Sequence, residues 1–210
     1  MAVIMKKVVD NDCILGIWEV AENFDTLISK IKLKGNDKET LNNFMNNNRK
    51  LEWLSVRTLL KELSNSDIGI VYNSFKKPYL SDNSSNISIS HSHKFTSILM
   101  SKKRRVGIDL EFMSHRITNI AHKFINDKEY ITSDKEKEKY HLYIHWCSKE
   151  ALYKICDKQE LNFKTNIFLE PFEPQDSGEI NGTVKRTKSF DIFLLKYFKL
   201  DNYIVAWCVK

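Results

Sequence analysis

Residues 87–111 read ISISHSHKFTSILMSKKRRVGIDLE, and their patterning decides the fold. Residues 87–90 alternate apolar and polar side chains, 95–101 form an apolar-rich run, and 106–111 alternate strictly. Each pattern predicts a strand, because side chains along a strand point to opposite faces in turn. The basic run KKRR at 102–105 lies between two apolar segments and reads as a solvated hairpin turn. If the first strand continues, His91 and His93 share one of its faces.

On the N-terminal side, 13–20 (CILGIWEV) reads as a strand and 24–33 has roughly helical spacing. Residues 49–63 (RKLEWLSVRTLLKEL) form the clearest helix of this half, with Leu51, Trp53, Leu54, Val56, Leu59 and Leu63 on a broad apolar face. The Asn-rich stretch 42–48 reads as a loop or frayed helix start. A short strand at 68–72, a loop at 75–79 (FKKPY) and turn chemistry at 81–86 follow. On the C-terminal side, 117–124 reads as a short helix and 127–139 is highly charged. Residues 142–158 (LYIHWCSKEALYKICDK) carry a long helical pattern. A loop and strand region follows, containing Pro171 and Pro174. The pair Asn181-Gly182 marks a hairpin turn, and 190–198 and 202–209 read as closing strands. Each half therefore holds one main helix and several mostly antiparallel strands, an α+β arrangement, divided here into lobes 1–105 and 106–210.

Composition limits the function classes. The chain has 210 residues, enough for a sizeable core, and 42% of them are hydrophobic. No apolar run reaches the roughly 20 residues of a membrane helix, and the N-terminus shows no secretion signal. The four cysteines (Cys13, Cys147, Cys156, Cys208) form no CxxC and no zinc spacing. A cytoplasmic protein with reduced thiols is expected. The net charge of +6 favours an anionic partner, and no nucleic-acid module accompanies it.

Chemistry enters at three places. Asp109 and Glu111, two apart on a strand, share a face, and a hard divalent cation relieves their repulsion. Alone, such a pair reads more readily as ordinary polar positions at a strand end, because such pairs are frequent by chance. Glu150 and Lys154 are four apart on the helix, beside Lys149; alone they are a surface ion pair of about 0.3–0.5 kcal/mol. In ISISHSHKF, His91 and His93 with the neighbouring hydroxyls suit a phosphate group, or are simply exposed or internally satisfied histidines; no nucleophile elbow accompanies them. No P-loop or dinucleotide fingerprint occurs, and with six glycines in the chain the side chains of Lys, Arg and His are the expected phosphate ligands.

The order ISHS, VGIDLE, WCSKEALYK resembles the 4′-phosphopantetheinyl transferases of the surfactin-synthetase-activating (Sfp-like) type. That family carries an SHS-like strand, a (V/I)GxDxE strand and a WxxKExxxK helix in this order. The match is closest over 77–154. It implies two similar α/β lobes related by a pseudo-twofold axis, each a mostly antiparallel sheet with a long helix, and an active site between them. It implies a monomer that does not bind nucleic acid or membrane. By the resemblance, Asp109, Glu111 and Glu150 bind magnesium, and Lys154 contacts the phosphates of coenzyme A. Lys149, Ser90, His91, Lys77 and Pro78 join the coenzyme-binding set. Arg49 resembles an arginine that binds the 3′-phosphate. Lys76 stands where many members have Gly. The implied reaction moves 4′-phosphopantetheine from coenzyme A to a serine of an acidic apo-carrier protein, releasing adenosine 3′,5′-bisphosphate, with Asp109, Glu150 and Lys154 catalytic. The alternative is a non-catalytic coenzyme A or carrier-binding module of the same fold.

Overall fold

The computed structural model describes residues 3–157 and 161–210. The chain divides into two compact units, Met1–Arg104 and Arg105–Lys210. In chain order the first unit contains β1 (Val3–Val9), β2 (Cys13–Glu19), α1 (Phe24–Ser29), α2 (Asp37–Asn42) and α3 (Asn47–Ser64). It continues with β3 (Ile70–Tyr72), β4 (Pro78–Leu80), β5 (Asn86–Ser92) and β6 (Phe95–Ser101). Its main sheet is antiparallel in the order β1-β2-β6-β5, and β3 and β4 form a separate small ribbon.

The long helix α3 explains how this unit is held. Asn46 caps its start by accepting from the Asn48 amide, and Asn65 ends it in the left-handed conformation that Asn tolerates. Its apolar stripe, with Trp53, Leu54, Leu59, Leu60 and Leu63, is buried in one cluster with Trp18, Ile87, Ile98 and Met100 of the sheet. The helix approaches β2 closely at Gly16, where a Cβ would stand 2.8 Å from Leu63. Burying each such side chain contributes about 1.5–3 kcal/mol.

The second unit contains β7 (Val106–Phe112), α4 (Ile117–Ile120), a 3-10 turn at Ala121–Lys123 and α5 (Lys135–Ile155). It closes with β8 (Ile167–Leu169), β9 (Ser177–Lys185), β10 (Phe190–Leu200) and β11 (Tyr203–Val209). The antiparallel sheet runs β7-β11-β10-β9-β8. Helix α5 lies against it, with Ile144, Cys147, Ala151, Leu152 and Ile155 fully buried among Leu195, Ile204, Ala206 and Val184. Asp134 caps α5 by accepting from Glu136 N, and Glu136 and Glu138 stand in the first turn, where the helix dipole favours them.

The α+β architecture holds in both units. Several local expectations change. The helix expected at 142–158 begins seven residues earlier, at Lys135, because the charged stretch supplies its cap and exposed first turns; Lys158 lies outside the described residues. The predicted hairpin at Asn181-Gly182 is instead the middle of β9. Gly182 is there because a Cβ would stand 2.7 Å from Leu195 and 2.8 Å from Leu152; the chain reverses between β9 and β10 at 186–189. FKKPY is only partly a loop, since Pro78 opens β4 opposite Tyr72. Strand β5 stops at Ser92, and His93 takes a positive φ of 48° in the turn, so His91 and His93 do not share a strand face. Strand β1 and helix α2 were not anticipated. No described helix is long and apolar enough to cross a membrane.

Candidate functional site

In the second unit the expected carboxylates are positioned by one close approach. Gly107 lies two residues before Asp109, and a Cβ there would stand 2.1 Å from the backbone oxygen of Ala151. Only glycine lets β7 and α5 come this near. The approach sets Asp109 and Glu111, on the same strand face as Gly107, against the helix that carries Glu150 and Lys154. Asp109 is 3% exposed. Lys154 Nζ donates to Asp109 Oδ1 at 2.7 Å and to the Ile108 carbonyl at 3.0 Å. Lys154 is thus bridged to the strand, and the ion pair is largely buried, unlike the surface pair its spacing to Glu150 alone suggests. Trp146 is half-buried and donates its indole N–H to Glu111 Oε1 at 3.4 Å, while Leu152 is in the core. Cys147 is completely buried between these groups. Burial first, and then the charges of Asp109 and Glu111, push its thiol well above the usual range, so it is inert filler.

Beside Glu150 lies an open groove of about 500 Å³, lined by Ile120, Lys123, Phe124, Trp146, Tyr153 and Phe163. Its aromatic rings touch in series, Phe124 on Trp146 at 5.1 Å and Trp146 on Phe163 at 5.5 Å.

Lys149 does not join the coenzyme-binding set. Its side chain is fully buried and points away from solvent. Nζ donates to the carbonyls of Phe124, Phe163 and Ile167 and pairs with Glu129 Oε2 at 2.6 Å. Burial pulls its ammonium below the usual lysine range, against the pull of Glu129. Lys149 is an internal strut. Glu129 was invisible in the sequence, because nothing distinguishes it within the charged stretch around it.

In the first unit the fold brings Arg49 and His91 together across 42 residues. Arg49 Nη1 lies 2.9 Å from His91 Nε2. Arg49 can only donate, so Nε2 accepts and the neutral ring keeps its proton on Nδ1. Glu52 completes the group, 2.9 Å from Arg49 and 3.7 Å from His91 Nδ1. Glu52 was not anticipated, although its place three residues after Arg49 on the same helix is the signal. Ser90 is buried and projects to the opposite face of β5 from the exposed His91. Pro78 opens β4 of the ribbon, and Lys77 ends the turn that leads into it. That turn is folded around Asn73, whose Oδ1 accepts from the amides of Phe75 and Lys77. Lys76 has a φ of 58°. This explains why glycine suits that position, and lysine adopts the conformation at some cost.

Three carboxylates, two on β7 and one on the facing helix, are the hard oxygen donors that magnesium prefers, so the residues fit that ion in kind. Among the described residues, no three or more His, Cys, Asp or Glu side chains are gathered closely enough to hold a metal ion by themselves. Magnesium usually takes one or two carboxylates and completes its shell with substrate phosphates and water.

Residues 105–208 match the family model of the 4′-phosphopantetheinyl transferase superfamily. No curated protein matches the chain significantly. The matched segment spans the second unit and contains Asp109, Glu111, Glu150 and Lys154; through it, the chain belongs to the 4′-phosphopantetheinyl transferase superfamily.

Proposed function

We propose that this chain transfers the 4′-phosphopantetheine group of coenzyme A to a serine of an acidic apo-carrier protein, with magnesium. The observation that carries the reading is the seating of β7 on α5 at Gly107, which confronts Asp109 and Glu111 with the helix bearing Glu150 and Lys154 inside the family-matched segment.

In the reaction the serine Oγ forms a bond to the β-phosphorus of coenzyme A. The bond from that phosphorus to the bridging oxygen breaks, and adenosine 3′,5′-bisphosphate leaves. Asp109, Glu111 and Glu150 would hold magnesium, which neutralises pyrophosphate charge when bound. Lys154, already held at the strand by Asp109, stabilises negative charge on the leaving phosphate. Glu150 takes the serine proton, directly or through water. Arg49 and His91 are assigned to the 3′-phosphate of coenzyme A. The aromatic groove beside Glu150 offers apolar surface to the carrier around its serine. Such transfers depend chiefly on positioning and charge.

Incubation with coenzyme A, magnesium and a panel of fatty-acid, polyketide and nonribosomal-peptide apo-carriers, followed by intact-protein mass spectrometry, tests the reading. One phosphopantetheine is expected on at least one carrier. Asp109→Asn should fold normally and lose at least about 100-fold in rate. No mass gain on any carrier, or full activity in Asp109→Asn, overturns it.

A further inference from the structure

Helix α5 carries two histidines one turn apart that the transfer chemistry does not use. His141 and His145 are 0% and 1% exposed, with ring centroids 4.9 Å apart. Phe172 covers both, at 4.5 Å from His141 and stacked on His145 at 5.1 Å. Phe172 belongs to the strap 170–176, EPFEPQD, which has no regular secondary structure. The rest of the strap is fastened by Tyr130 donating to Glu173 at 2.7 Å, Tyr140 donating to the Gln175 carbonyl at 2.6 Å, and the Gln175 amide donating to Tyr197 at 3.2 Å. A second loop, 126–134, meets the same pair. Its Thr132 amide donates to His141 Nδ1 at 3.1 Å.

The Thr132 contact dictates a protonation state. Nδ1 must accept, so a neutral His141 carries its proton on Nε2, and that buried nitrogen has no hydrogen-bond partner among the described residues. An imidazolium would set one N–H against another at Thr132. His145 is held in no one tautomer: the Tyr130 backbone approaches it and favours its charged form without closing a hydrogen bond, and neither ring nitrogen is paired among the described residues.

We propose that the His141–His145 pair is an acid-released latch, which holds the Phe172 strap and the Thr132 loop on α5 while both rings are neutral. Protonation places charge beneath Phe172, where the described residues offer it little compensation, and the low-cost response is to lift the strap and admit water. The charged and titratable groups facing the pair are few. Glu129 Oε1 lies 3.9 Å from His145 Nδ1, but Glu129 is already committed to Lys149, Asn126 and Leu169. Lys149 opposes a second positive charge. Glu173 favours protonation of His141 but is held by Tyr130. Tyr130 on the loop, Tyr140 on the helix and Tyr197 on the sheet stay neutral, since burial or a carboxylate neighbour pushes each phenol up.

The sign follows from burial. It drives His141 down to about 4 and His145 well below the usual histidine range. With the latch open, both rings return towards about 6.5. The open form therefore takes up protons that the closed form refuses. Its population rises as pH falls below about 6.5, by up to about tenfold per pH unit for each ring, and the His141 contribution levels off near 4.

Hydrogen exchange read by mass spectrometry on the full chain, corrected for intrinsic rates, tests this between about pH 7 and pH 5. Segments 128–133 and 170–176 should lose protection together as pH falls, while β9 to β11 keep theirs. His141→Asn keeps an acceptor for Thr132 and cannot be protonated, so it should flatten the pH dependence. Equal dependence in that variant, or strap protection that is independent of pH, overturns the latch. If the variant fails to fold, histidine NMR on the wild-type chain decides. A neutral His141 with its proton on Nε2 below pH 6 supports the proposal; titration near the usual value with the strap still protected overturns it.

Discussion

At the scale of the residue, the Arg49–His91 pair shows how a weak sequence signal gains meaning. Neither residue is distinctive alone. The fold sets two cationic or polarisable groups 2.9 Å apart and balances them with Glu52. On the proposed assignment, an arriving phosphate dianion would compete with Glu52 for Arg49 and satisfy both partners. A charge-assisted hydrogen bond of this kind contributes about 1.5–3 kcal/mol. Arg49→Ala and His91→Ala should each therefore raise the KM for coenzyme A by roughly 10- to 100-fold. The KM for dephospho-coenzyme A, which lacks the 3′-phosphate, should stay nearly constant. Steady-state kinetics with both substrates makes the comparison. Equal losses for the two would place these residues elsewhere on the ligand. Lys149 shows the converse case. Its neighbour Glu150 made it look functional, yet helix geometry turns adjacent residues about 100° apart. The rotation that leaves Glu150 beside the groove sends Lys149 into the core, where four acceptors meet it.

At the scale of the element, the decisive contact is β7 on α5. A methyl group at position 107 would lie 2.1 Å from the Ala151 carbonyl oxygen, and backbone cannot yield as a side chain can. Gly107→Ala should push the helix off the strand, costing about 1–3 kcal/mol. It should also lower transfer, because Asp109 and Lys154 separate. Chemical denaturation and transfer rate, measured on the same preparation, check both effects. A variant as stable and as active as wild type would mean that the helix has room to move. The seam also explains what could be read from sequence. The β7 alternation and the α5 periodicity were legible because each element buries one face, which imposes a period on its residues. The Asn181-Gly182 turn was misread because its chemistry is local. The tertiary demand for a residue without a Cβ beside Leu195 and Leu152 overrode it. Strand β1 escaped notice because it pairs with β2 at the sheet edge and none of its side chains is fully buried. Glu129 depends on a partner remote in sequence and sits in a charged stretch where no periodic signal marks it, whereas Glu52 and the His141–His145 pair have helical spacing that by itself does not say what they meet.

At the scale of the whole molecule, charge is the remaining lever. The net charge is +6, while coenzyme A is an anion and the proposed carrier is acidic. Attraction between a basic enzyme and an acidic protein acts mainly on encounter, over distances comparable with the Debye length, which is about 10 Å at 0.1 M salt and about 3 Å at 1 M. Chemistry at the buried Asp109–Lys154 pair is screened far less. Raising sodium chloride from roughly 0.05 to 0.5 M should lower kcat/KM for the apo-carrier by about tenfold, with kcat changing much less. Potassium glutamate at the same ionic strength separates general screening from chloride competing at the phosphate ligands: screening acts equally in both salts, whereas competition is worse in chloride. A kcat/KM that ignores salt would mean that the basic surface has no part in meeting the carrier. The excess of lysine and arginine would then serve coenzyme A alone, and the KM for coenzyme A should by itself carry the salt dependence.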